Sequence, residues 1–150
     1  MQVYQLQSST NVRMKKSIVV ISLLLIGVLM PFLSRVPLAA KFGSAWIWRF
    51  VPDAEAMSVV MGIFVVSLVP LLLFGVLYVL TRFRWALFLS AAVHYGCTAF
   101  FFYNFLENPR DEPLALAFAP IFIGLFSFVA GCLGLLAEWL ITRRTKTTSS

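Results

Sequence analysis

Four runs of apolar residues constrain this chain more than any motif in it: 17–33, 57–80, 85–103 and 114–141. A hydrocarbon core about 30 Å thick takes about 20 residues of helix to cross. The first run sits at the short end of that requirement and the other three meet it. Glu138 is the one formally charged side chain within them. Strands of a membrane barrel alternate polar and apolar residues, and these runs do not, so a barrel is excluded. The expected fold class is an all-α integral membrane protein, a four-transmembrane-helix bundle forming a single membrane domain over 1–150. Polar basic tails are expected at 1–16 and 142–150.

Composition enters as a check on soluble alternatives. Apolar residues make up 61% of the chain and charged residues 12%, against about 45–50% and about 25% in soluble domains. So few charges cannot cover a soluble surface of this size. Intrinsic disorder needs the opposite balance, low hydrophobicity and high charge. The net charge of +6 and pI near 9.8 would suggest nucleic-acid binding in a soluble protein. Here the positive residues flank the apolar runs, as membrane anchors do, and no nucleic-acid partner is expected.

The first run has a competing reading. From Met14 a basic start leads into an apolar stretch, the pattern of a secretory signal peptide. The region after it, Pro37-Leu38-Ala39-Ala40, lacks a clean A-x-A site. The run is therefore taken as a retained span.

Lys and Arg set the orientation. Arg13, Lys15 and Lys16, then Arg82 and Arg84, then Arg143, Arg144 and Lys146 fall on one side of a four-span chain. Arg35, Lys41, Arg49 and Arg110 fall on the other. The positive-inside rule puts both termini in the cytoplasm. The expected location is a membrane, taken here as the bacterial cytoplasmic (inner) membrane. Residues 34–56 form the one long outer loop. Within 38–51, Ala39, Phe42, Gly43, Trp46, Ile47 and Phe50 fall on one helical arc, and Lys41, Ser44 and Arg49 on the other. That pattern predicts a helix lying in the outer interface, ended by Pro52. Trp46, Trp48, Trp85 and Trp139 are the expected interface anchors.

Polar and small residues mark the candidate sites. In lipid, helices associate through small residues that let backbones approach. Ala92 and Gly96 in the third span, and Ser127, Ala130, Gly131 and Gly134 in the fourth, are the expected packing positions. The third span carries a second stripe on nearly the opposite face: Ser90, His94, Cys97 and Thr98. His94 lies near mid-span, where ionisable residues are costly and often functional. Ser67 and Ser127 lie at comparable depth and complete an intramembrane polar cluster. The structural reading of His94 is a neutral histidine hydrogen-bonded within the bundle; the functional one is a proton relay. Pro70 deprives the Val66 carbonyl of its helical partner, which predicts a kink in the second span. Pro120 predicts another in the fourth. Glu138, about one turn from the cytoplasmic end, reads as a structural residue reaching the interface.

Catalytic parts are scarce. The chain has no GxSxG, HExxH or P-loop, no CxxC pair and no Cys/His spacing for a metal. No cofactor and no metal are expected, and no enzymatic activity. The expected function is that of a small polytopic membrane protein acting through helix–helix or protein–protein interaction. It would be a subunit of a membrane complex or an immunity-type inhibitor of a membrane toxin. Its surroundings are the lipid bilayer, and its partner is a membrane protein or a second copy of itself. The alternative is a small transporter or channel subunit using the polar stripe around His94. Against that alternative, the first span holds no membrane-embedded acid, the usual coupling group of small four-span exporters.

Overall fold

The fold is taken from a computed structural model. It describes residues 2–44, 62, 64–81, 83–107 and 113–147, with side chains at 12–44, 62, 64–81, 83–101 and 118–144. Every regular element among the described residues is helical, and none is a strand. In chain order these are α1 (Gln2–Leu33), α2 (Val36–Phe42), α3 (Val69–Leu80), α4 (Trp85–Glu107) and α5 (Pro113–Thr147). A helical turn at 64–67 leads into α3. Two helices, Val12–Phe42 and Phe118–Arg144, are long and apolar enough to cross a membrane; Phe64–Leu80 and Trp85–Phe101 are shorter apolar helices.

Proline and glycine place the breaks. Pro37 has no N–H to offer the Leu33 carbonyl, and α1 ends at Leu33. The chain turns through Ser34 and Arg35, with the Ser34 hydroxyl donating to the Pro31 carbonyl at 3.0 Å. The turn buries Arg35 fully. Helix α2 stops after seven residues, about two turns, because Gly43 takes φ +104°, a conformation that glycine adopts without strain. This corrects the expected interfacial helix over 38–51: the helical segment is Val36–Phe42, and it does not run through Gly43. Trp46, Ile47 and Phe50, together with Trp48 and the start of the second span, lie outside the described residues. Pro70 acts as predicted. Leu68 leaves the helix, its N–H bonding three residues back to the Val65 carbonyl at 3.1 Å, and α3 starts afresh with Pro70 in its first turn. At Pro120 the assigned helix is continuous, with the ring buried. A second difference concerns α1, which starts at Gln2 and runs for about 48 Å at 1.5 Å per residue, so residues expected as a tail are helical.

Packing follows from close approaches. Gly75 of α3 lies against Val20 of α1, and Gly27 of α1 against Leu68, which makes α1 and α3 antiparallel. Gly124 and Gly131 of α5 lie against Ser67 and Phe74, so α3 and α5 run parallel. Gly134 of α5 lies against the main chain of Ala86, and Cys97 packs on the cluster that holds Ile123, so α4 and α5 are antiparallel. Helices α4 and α5 share the most extensive interface; α1 and α5 occupy opposite flanks of the α3–α4 pair. One core cluster holds Val20, Phe74, Ala86 and Leu87, a second Leu68, Leu71 and Ala91, and a third Phe64 and Ile123.

One end of the bundle is tied by charged side chains. The turn between α3 and α4 leaves carbonyls of α3 and N–H groups of α4 without helical partners. Lys16 of α1 donates to the carbonyls of Tyr78, at 3.0 Å, and Thr81. Its ammonium also sits 5.1 Å from the Tyr78 ring centre. The Thr81 hydroxyl donates to Leu77 and accepts from the Phe83 N–H. From the other flank, the Glu138 carboxylate accepts the Arg84 N–H at 2.9 Å. An anion at a helix start is favoured by the exposed N–H groups and the helix dipole. Glu138 is thus a cap on α4, which accounts for an acid in an apolar helix.

Candidate functional site

The polar residues of the middle layer are all buried. Ser90, His94, Thr98 and Ser127 have no solvent-accessible surface, and Ser67 is 2% exposed. Register brings His94, Ser127 and Ser67 to about one level from three elements, with Ser90 and Thr98 one turn to either side of His94. Gly134 faces Ala86, so eight residues along α4 His94 comes level with residue 126 of the antiparallel α5, beside Ser127. Leu71 and Ala91 share a core cluster, so three residues along α4 His94 is level with Leu68, beside Ser67. The kink at Leu68 and the glycine at 124 let the Ser67 backbone come close to α5: a Cβ on Gly124 would stand 3.4 Å from the Ser67 Cα.

Most of these hydroxyls bond within their own helix. Ser67 Oγ donates to the Phe64 carbonyl, Thr98 Oγ1 to that of His94 and Ser127 Oγ to that of Ile123, each at 2.7 Å. Such back-bonding satisfies the hydroxyl proton and leaves the oxygen lone pairs as acceptors. Ser90 and His94 behave differently. Among the described residues, Ser90 Oγ and both imidazole nitrogens have no hydrogen-bond partner. Among the described residues of the second and fourth spans, the expected hydrogen bond from His94 is therefore not formed. The ring meets Tyr95 edge-on, with centres 5.9 Å apart, and Tyr95 in turn donates to the Leu23 carbonyl of α1 at 2.5 Å. A buried polar group left unsatisfied costs about 1–3 kcal/mol. Three such atoms lie within one helical turn of α4.

The other predicted positions separate. Cys97 is half-buried and packs, with Phe101, against Phe64 and Ile123. Both cysteines are free thiols, as their difference in depth requires. In α5, Ser127, Gly131 and Gly134 face the bundle and Ala130 is half-buried. The third-span packing face is corrected. Ala92 and Gly96 are exposed on the outside of the bundle, and a Cβ on Gly96 would meet nothing within 4 Å. The polar stripe of α4, not its small-residue stripe, is the one buried. Beside Gly96 an apolar groove of about 450 Å³ runs between α4 and α5, lined by Cys97, Phe100, Phe118, Phe122 and Phe126. Trp85 and Trp139 are partly exposed, near Arg84 and under Arg143 respectively, the latter with its guanidinium 3.8 Å from the ring centre. No group of three or more His, Cys, Asp or Glu side chains converges among the described residues.

The Lys16 and Glu138 contacts and the groove were not legible beforehand. Each depends on which residues distant in sequence become neighbours. The one signal was Glu138 itself, a lone acid in an apolar run. No protein-family model matches this chain, and no curated protein or solved structure matches it.

Proposed function

We propose that this chain is a four-span protein of the bacterial cytoplasmic membrane, with both termini in the cytoplasm, that works by binding another membrane protein. It would serve as a subunit of a membrane complex or as an immunity-type inhibitor of a membrane toxin, without enzymatic activity of its own. The observation that carries this reading is the uncovered notch at Ala92 and Gly96 with the apolar groove beside it. Lipid chains are as apolar as leucine, so a helix gains from docking there through close van der Waals contact. A bare glycine with free space over its Cα permits that contact. The orientation draws on the eight cations of one side, and on Lys16, Arg84 and Glu138 meeting at a single end of the bundle.

The test is purification in mild detergent with mass spectrometry of co-purifying proteins, on the natural chain and on Gly96→Leu. The reading predicts a stoichiometric membrane partner, or a second copy, that Gly96→Leu loses while its own melting temperature is unchanged. A chain that purifies alone, or a partner retained in full by Gly96→Leu, contradicts it. A second reading, a small transporter or channel subunit, draws on the orphaned polar atoms of Ser90 and His94. It predicts a pH-dependent flux in proteoliposomes that His94→Gln abolishes without unfolding.

A further inference from the structure

We propose that Ser90 and His94 hold internal water that links α4 to the hydroxyl oxygens of Ser67 and Ser127. The inference does not depend on either functional reading above. It starts from a contrast among buried hydroxyls. Ser67, Thr98 and Ser127 each donate to a carbonyl three or four residues back in their own helix. Ser90 is as fully buried and lies within the same kind of helix, yet its hydroxyl takes no such bond. Four residues on, both nitrogens of a fully buried imidazole also have no partner among the described residues. An i, i+4 pair shares one helix face, so these orphaned atoms lie on the same side of α4.

The chemistry of the surroundings selects the guest. A metal ion has no set of three His, Cys, Asp or Glu ligands among the described residues. The acid of the neighbouring helix, Glu138, is eleven residues from Ser127 and engaged at the α4 start. No described Lys or Arg stands at this level to hold an anion: Lys16 and Arg84 belong to the tied end of the bundle, and Arg35 follows the far end of α1. What remains is a neutral molecule able to donate and accept. A histidine ring nitrogen pair offers one donor and one acceptor, and Ser90 offers both. Ser67 and Ser127, whose protons are used on their own backbones, offer lone pairs at the depth of His94, one turn from Ser90. Internal water typically makes about three hydrogen bonds to such groups, and this set supplies them from three helices.

His94 is the sole histidine of the chain, so labelling with 15N-histidine reports on this one ring. The experiment is magnetisation transfer from water protons to the imidazole, on the full chain in phosphatidylcholine nanodiscs. The expected result is transfer in the natural protein, lost in Ser90→Ala and retained in Ser22→Ala, a serine on the exposed side of α1. Should Ser90→Ala fail to fold, Ser90→Cys replaces it, with the same loss expected because a thiol hydrogen-bonds weakly. No transfer in the natural protein overturns the proposal. So does transfer that survives loss of the Ser90 hydroxyl.

Discussion

A single side chain settles several local questions in this bundle. Glu138 looked unusual because acids are costly in apolar helices. Its contact with the Arg84 N–H turns it into a helix cap. Capping residues contribute about 0.5–2 kcal/mol when replaced by alanine. Glu138→Ala is therefore expected to lower stability by about 1 kcal/mol in a detergent unfolding series, and Glu138→Gln by less, since an amide oxygen still accepts. Equal losses for the two would show that charge, not capping, is the cause. Tyr95 makes a similar case. Its hydroxyl bonds α4 to the α1 backbone, and Tyr95→Phe should cost about 0.6–2 kcal/mol, measured the same way. His94 is where residue-level reading went furthest and then stopped. Its burial was legible from its place in the run. Its bonding was not, because which way the neighbouring hydroxyls turn is not written in the spacing: Ser67, Thr98 and Ser127 donate their protons to carbonyls of their own helices.

Helix boundaries were largely legible, and helix faces were not. The ends at Leu80 and Trp85 coincide with the charged turn between them, and the break at Leu68 follows from Pro70. The arc drawn through Gly43 failed because periodicity ignores a residue that takes positive φ. The two faces of α4 were correctly separated by their spacing. Which of them would be buried was another matter. In water the apolar face turns inward, but lipid is as apolar as the protein core, so hydrophobicity gives no direction. The structure buries Ser90, His94 and Thr98 and leaves Ala92 and Gly96 outside. The glycines then sort by what lies over them. A Cβ at Gly134 would stand 2.7–2.8 Å from backbone atoms of Ala86, which cannot yield without moving a helix. Gly134→Leu should lower the melting temperature strongly, at the 1–3 kcal/mol typical of overpacking or beyond. Gly96→Leu should leave it unchanged. Equal effects from the two substitutions in a thermal unfolding assay would contradict the helix placement.

At the scale of the whole molecule, helix connectivity sorts the charges by end. Lys16, Arg84 and Glu138 meet at the end where α3 turns into α4. Glu107 closes α4 at the opposite end. The proposed topology puts the end of the α3–α4 turn in the cytoplasm and positions 44 and 108 outside. Cysteine accessibility in intact cells tests that most directly. Cys97 and Cys132 are first replaced by alanine, and single cysteines are then placed at Ser44, Asn108 or Thr145. A membrane-impermeant thiol reagent added from outside is predicted to label Ser44→Cys and Asn108→Cys, and to reach Thr145→Cys only after the cells are opened. Labelling of Thr145→Cys from outside, with Ser44→Cys and Asn108→Cys protected until lysis, would contradict the account.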